Sequence, residues 1–458
     1  MRFFNTLSQK KEIFKPRKDK KVNLFVCGPT VYDYPHIGHA RVYIVFDSMV
    51  KFLSFLGYKV FFLMNITDVD DKIINRAKEE KVSPFEIAKR YEKIFFEDLK
   101  SLKINSVNKF ARASNYISKI IQQIKKLMNK SFAYLAKDGS VYFRTRKFKE
   151  YGKLSHQKLD NLKSFETGFD KEDPLDFALW KAKKDPYEPS WKTPWSEGRP
   201  GWHIEDTAIT ETFFGEQYDI HGGGLDLIFP HHECEIAQQE AASGKKPFVK
   251  YWLHVGLLLV NGEKMSKSLG NFITIRDFIN KETPRFLRYF ILYHHYRSPI
   301  DYNEKTLESI KKDYFLLNEK IAKLTQIKCR GKKIFSPKKI KDIQKKILKP
   351  LEDDFNTHLA LANLNSFLNE IEPLIENNDL DFNSQKLIIN KLKEIDKIFS
   401  VIFPWKNLDK EEKELIKKRE KYRLLKEYQK ADEIRDFLAK KNIILEDRPK
   451  RALVIILR

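Results

Sequence analysis

The most constraining stretch of this sequence is residues 22–66. Residues 22–27 (VNLFVC) form a short apolar run that reads as a buried strand. A turn-rich segment, GPTVYDYP, follows it. Residues 36–56 then carry Val42, Phe46, Met49, Val50 and Leu53 on one stripe at helical spacing, and Gly57 ends the pattern. Residues 59–66 are a second apolar run. Strand, loop, helix, strand is the unit of a parallel α/β sheet. The loop before the helix lies at the carboxyl end of the first strand, where such sheets bind ligands.

Further along, Ser83-Pro84-Phe85-Glu86 predicts a capped helix start with proline at its first position. Ile87, Tyr91, Ile94, Leu99 and Leu102 would form its inner face. Residues 114–129 predict another helix, with Ile117, Ile120, Ile121, Ile124 and Met128 on one side. Residues 139–200, with many Trp, Pro and Lys, read as an irregular insertion between two halves of the sheet. Tyr218-Asp219-Ile220 predicts a returning strand that runs into His221-Gly222-Gly223-Gly224, and a helix begins near Pro230. From about residue 310 the pattern is all-helical. The expected class is α/β: a Rossmann-type parallel-sheet domain split by an insertion, then an all-helical C-terminal region. The expected segments are 1–120 and 201–255 for the two halves of the sheet domain, 121–200 for the insertion, and 256–310, 311–400 and 401–458 beyond.

Composition sets limits on function. The chain has 458 residues, 42% hydrophobic and 13% aromatic, so a sizeable core is available and a disordered chain is excluded. No apolar run approaches the roughly 18 residues of a membrane span, and the first residues carry no apolar signal segment. Three well-separated cysteines argue against a disulfide framework and for a reducing, cytoplasmic setting. The net charge is +23, which suits a polyanion such as nucleic acid or reflects a general lysine bias. Residues 311–350 hold 14 basic and 3 acidic side chains, either a solvated helix face or a nucleic-acid face.

Two short motifs carry chemistry. In Pro35-His36-Ile37-Gly38-His39, two imidazoles three apart share one face of a helix start. Unpaired N–H groups and the helix dipole there favour a phosphate, and Gly38 leaves room for a flat ring. Alone, the pair could equally be half a metal site or two surface histidines. In Lys264-Met265-Ser266-Lys267-Ser268, flanked by Gly262 and Gly270, two ammonium groups and two hydroxyls suit a clamp on phosphates, or else form an exposed basic turn.

Together and in this order, the two motifs resemble the HIGH and KMSKS signatures of class I aminoacyl-tRNA synthetases. FVCGPTVYDYPHIGHAR, MNITDVDDKII, DPLDFALWKAKK, GRPGWHIE, DIHGGGLDLIFPHHECEIAQ, NGEKMSKSLGN, LEDDFNT and ADEIRDFL with ILED narrow the resemblance to the cysteinyl-tRNA synthetase family over nearly the whole chain. The resemblance implies activation of L-cysteine by ATP to cysteinyl-adenylate and pyrophosphate, then transfer to the 3′-terminal adenosine of tRNA(Cys). It implies that His36 and His39 contact the ATP phosphates, that Gly38 lies against adenine, and that Lys264, Ser266 and Lys267 hold the pyrophosphate end. Mg²⁺ would accompany ATP. Cys27, Thr67, Trp202 and His221 would surround the cysteine. The insertion and the stretch after Lys267 would meet the acceptor stem, residues 401–458 the anticodon, and the chain would act as a monomer without a membrane partner. Three rivals fit parts of the pattern: a ligase joining cysteine to an amino-sugar, a non-enzymatic RNA-binding paralogue, and a class I synthetase for another amino acid.

The family resemblance also implies a zinc ion, held by two Cys, one His and one Glu, that selects thiol over hydroxyl. Cys27, His231 and Glu235 match. The fourth position departs from the pattern: in Gly201-Trp202-His203-Ile204-Glu205-Asp206-Thr207, Asp206 stands where the family has cysteine. A carboxylate is an acceptable zinc ligand but a harder one. Cys234 is the alternative substitute, or else a small buried hydrophobe, and the remaining reading is a three-ligand site or no tight zinc. Asp68, Asp70 and Asp71 read as caps and backbone contacts rather than a metal cluster, and Cys329 as structural. The final KRALVIILR replaces the family's usual ending with an apolar tail.

Overall fold

The computed structural model describes residues 1–162, 170–266, 269–449 and 451–458. They divide into two compact units, one of Met1–Leu257 with Arg297–Pro299, the other of Leu258–Tyr296 with Ile300–Arg458.

The first unit is built on a five-stranded, all-parallel sheet. Its elements are β1 (Lys21–Val26), α1 (Ile37–Phe55), β2 (Lys59–Ile66), β3 (Lys109–Arg112), α2 (Trp202–Phe214), β4 (Tyr218–Gly224), α3 (Glu233–Ser243) and β5 (Val249–Val255). The strand order is β5-β4-β1-β2-β3. The chain therefore steps outward in one direction from β1 and, after the insertion, in the other from β4. The crevice beyond the carboxyl ends of β1 and β4 is the topological switch point, where open α/β sheets place their ligands. Buried Val22, Leu24, Phe25, Phe62, Leu63 and Met64 make β1 and β2 near-continuous apolar runs, as a sheet covered on both faces requires.

The described part of residues 139–200 is not wholly irregular. It contributes to a five-stranded antiparallel sheet of Ala133–Leu135, Val141–Phe143, Phe177–Ala182, Glu197–Pro200 and Trp191–Lys192. Strands of two to six residues are too short for a period-two pattern to show. Ser83 caps the helix Pro84–Ser101, accepting from Glu86 N at 3.2 Å. The helix expected over 114–129 is a 3-10 turn followed by Ile117–Asn129.

The second unit holds the helices Glu304–Gln326, Pro337–Leu348, Thr357–Glu376, Phe382–Phe399, Lys410–Leu424 and Tyr428–Lys440. Its end is not helical. Ile443–Glu446 and Leu453–Ile456 pair antiparallel, and the apolar tail buries Leu453 and Ile455. Cys329 is buried, and its backbone N donates to Gln385 Oε1 at 3.2 Å, a packing role. No described helix is long and apolar enough to cross a membrane.

Candidate active site

The site is assembled from the ends of β1 and β4 and from two unusually polar helices. Cys27 follows β1 directly and is held in register when its backbone N donates to Gly222 O of β4 at 3.2 Å. α2 and α3 bury Glu205, Asp206, Glu235 and Gln238, which is why their apolar periodicity is weak. The turn into α3 supplies His231 and His232, both buried.

The four residues expected to hold zinc come together. Ligand atoms of Cys27, Asp206, His231 and Glu235 all lie within 4.8 Å of one another. Asp206 Oδ2 is 3.7 Å from Cys27 Sγ and 3.0 Å from His231 Nε2, and Glu235 Oε1 is 3.2 Å from the same nitrogen. Zinc bonds of ~2.0–2.3 Å at tetrahedral angles imply donor separations of about 3.3–3.8 Å. The donor set therefore fits such an ion. Cys234 does not join it: its sulfur lies 3.1 Å from Tyr151 Oη in the core, as a small buried hydrophobe would.

Orphaned acceptors support the fit. Asp206 Oδ1, Glu205 Oε2 and both Glu235 carboxylate oxygens are buried and accept no hydrogen bond. Leaving such groups uncompensated costs several kcal/mol, of order 3–5 for a buried charge without its partner, so the pattern calls for a cation. Burial, then the Asp206 and Glu235 charges, pushes the Cys27 thiol well above its usual range. Burial and the Asp206 and Glu205 charges push Glu235 up as well. A divalent ion among these groups reverses both effects. Burial and neighbouring imidazoles hold His203, His221 and His232 well below their usual range, hence neutral and able to ligate.

Around this cluster, Thr67 Oγ1 donates to Glu205 Oε1 at 2.6 Å. The Trp202 ring stacks on His231 at 4.1 Å and is 37% exposed, so it forms an open wall of the site. His221 Nδ1 lies 2.7 Å from Tyr218 Oη. Sequence reasoning missed His232, whose Nε2 is 3.1 Å from Cys27 Sγ, and Glu205. The adjacent histidines of PHHECE were the available signal. The Asp68, Asp70 and Asp71 trio is no metal cluster. Asp70 caps the helix Asp71–Glu80, Asp68 accepts from Ser114 N at 2.9 Å, and Asp71 pairs with Lys181 at 2.8 Å and with Arg199.

The paired histidines form the cap of α1. His36 Nδ1 accepts from Gly38 N at 3.1 Å and from His39 N at 3.4 Å, and His39 Nδ1 accepts from His36 N at 3.3 Å. With both Nδ1 atoms accepting, a neutral ring carries its proton on Nε2. The rings stack at 3.8 Å. Burial is the main cause that holds His36 down at about 2 and His39 at about 4. Both are therefore neutral donors at physiological pH.

In the second unit, Lys264 is exposed at the end of the strand Glu263–Lys264. Asn271 braces the stretch: Ser266 N donates to its Oδ1 at 2.8 Å, and its Nδ2 donates to Lys264 O at 3.3 Å. Lys267 lies outside the described residues.

Comparison with known proteins decides the family. The model described as "tRNA synthetases class I (C) catalytic domain" matches residues 13–312. A cysteine–tRNA ligase of Thermoplasma volcanium is 46% identical over 98% of each chain. The chain belongs to the class I cysteine–tRNA ligase family. Cysteine–tRNA ligases of Coxiella burnetii and a Geobacillus species are 44% and 45% identical, each over 98% of both chains. Among solved structures, methionyl-tRNA synthetase of Mycobacterium tuberculosis, in complex with methionyl-adenylate, aligns over 83% of this chain and 92% of its own. Its TM-score is 0.63 at 15% identity, a likeness of fold.

Proposed function

We propose that this chain is a cytoplasmic cysteine–tRNA ligase whose thiol-selecting zinc is held by Cys27, Asp206, His231 and Glu235. In the first step a cysteine carboxylate oxygen attacks the α-phosphorus of ATP, and pyrophosphate leaves. In the second, a ribose hydroxyl of the terminal adenosine of tRNA(Cys) attacks the activated carbonyl, and AMP leaves. The protein's share is positioning and charge stabilisation.

His36 and His39 present neutral Nε2–H donors where a phosphorus centre gains negative charge. Fixed donors of this kind act without reorganising during the reaction. Lys264 and Lys267 neutralise the leaving pyrophosphate, and Mg²⁺ arrives with ATP rather than in a protein cage. Zinc, when bound, supplies a thiolate-seeking Lewis acid, a distinction between sulfur and oxygen that an apolar pocket makes only weakly. Trp202 and Thr67 flank the substrate and help fix its orientation. The exposed lysines of the helical unit supply phosphate contacts for the tRNA.

The observation that carries this reading is the convergence of Cys27, Asp206, His231 and Glu235 at the switch point. It is tested by ATP–pyrophosphate exchange with cysteine and serine side by side. Exchange that depends on cysteine and is at least about a hundredfold slower with serine is expected from a polar-recognition site. Equal exchange with serine, or none with cysteine, overturns it.

A further inference from the structure

Cys27 and Glu235 belong to two overlapping donor sets. The second is Cys27, His221, His232 and Glu235, whose ligand atoms also lie within 4.8 Å of one another. We propose that in the chain free of cysteine the metal rests in a second seat on these four residues, and that zinc retention there does not depend on Asp206. The inference rests on the zinc reading above and deepens it.

The imidazoles are aimed for the purpose. His232 Nε2 lies 3.1 Å and His221 Nε2 3.4 Å from Cys27 Sγ, close to the ~3.6 Å separation of sulfur and nitrogen around a tetrahedral zinc. Their outer nitrogens are held. Tyr218 Oη sits 2.7 Å from His221 Nδ1. His254 Nε2 sits 2.8 Å from His232 Nδ1, and His254 Nδ1 is 2.7 Å from Thr6 Oγ1. If each Nδ1 carries the proton, every one of these contacts is satisfied and both Nε2 lone pairs face the sulfur. Outer hydrogen bonds of this kind orient a ligating histidine and raise its basicity. Gly223 belongs to the same construction, because a Cβ there would lie 2.8 Å from His232 Cε1.

The reason lies in this chain's own substitution. With a carboxylate at position 206, the first seat offers one sulfur, one imidazole and two carboxylates. The second offers one sulfur, two imidazoles and one carboxylate, a softer set for zinc. Within the second set, one thiolate and one carboxylate match the ion's two positive charges. With zinc in the second seat, His231 remains 3.0 Å from Asp206 Oδ2 as its hydrogen-bond donor.

The experiment uses the full chain loaded with zinc and free of cysteine. X-ray absorption at the zinc edge counts imidazoles, and titration against a chromophoric chelator gives Kd. Two imidazoles and one sulfur are expected. Asp206→Ala should shift Kd by less than about tenfold, and His232→Gln should weaken it by at least about tenfold and remove one imidazole. If His232→Gln fails to fold, the wild-type imidazole count decides alone. Zinc bound with a single imidazole overturns the second seat and leaves a cysteine-selecting zinc in place. A chain that takes up no zinc overturns both.

Discussion

At the scale of single residues, the substitution at position 206 and the α1 cap make the sharpest claims. Asp206→Cys places a second thiolate beside His231 and should tighten zinc binding by about tenfold or more, read by chelator competition. His36→Ala or His39→Ala removes a donor to the charged transition state, with an expected loss of about 10²–10³ in the exchange rate. The same histidines set an acid limit on stability. Both are held below 6.5 in the fold, His39 at about 4 and His36 at about 2. The unfolded chain therefore takes up protons first, and stability falls as pH drops from 6.5 toward those values. His39→Gln should narrow the gap between urea midpoints at pH 7.5 and pH 5. Cys27, Asp206, His231 and Glu235 were read from the family resemblance, and only His231 and Glu235 had a spacing of their own, i and i+4 at a helix start. His232 was not read. Neighbours i and i+1 normally diverge, and only the turn at Ile228–His232 lets both rings reach one cluster.

At the scale of elements, the approach of β1 to β2 fixes the site's floor. A Cβ on Gly28 would lie 1.8 Å from the backbone oxygen of Asn65. Gly28→Ala should cost about 3 kcal/mol or more in denaturant unfolding, because backbone has to move. The β1–α1–β2 unit was readable because its strands are apolar throughout and its helix shows a clean stripe. The insertion sheet was hidden by very short strands, and α2 and α3 by the polar residues that serve the site. In the second unit, the helix Pro337–Leu348 presents Lys338, Lys339, Lys341, Lys345 and Lys346 to solvent. If this face neutralises RNA phosphates, Lys338→Ala, Lys341→Ala and Lys345→Ala together should reduce the salt slope of tRNA binding by about 2–3.

At the scale of the whole molecule, the tail is a structural clasp within the second unit. Arg285 is buried and donates to Tyr314 Oη, Asn318 Oδ1 and, at 2.8 Å, Ile456 O. Tyr314 Oη and Thr283 Oγ1 donate to Leu457 O at 2.8 and 3.1 Å. Removing residues 453–458 takes Ile456 O from the buried guanidinium and Leu457 O from the Tyr314 and Thr283 hydroxyls. A loss of about 3–5 kcal/mol is expected, seen as a lower unfolding midpoint and loss of tRNA charging. The apolar ending, a puzzle beside the family's sequence, becomes intelligible once Leu453 and Ile455 are seen to pack inward.

The single sulfur of the metal cluster has a consequence for oxidative stress. A zinc site with two thiolates can expel its ion by closing a disulfide across itself. Among the described residues no second cysteine joins either donor set here, and the nearest in sequence to the site, Cys234, is turned to Tyr151. An oxidant must instead take Cys27 alone to a sulfenic acid, deep in a crevice where its thiol is held protonated until a metal binds. With one sulfur, this centre has no disulfide to close across itself, and peroxide acts on it through Cys27 alone.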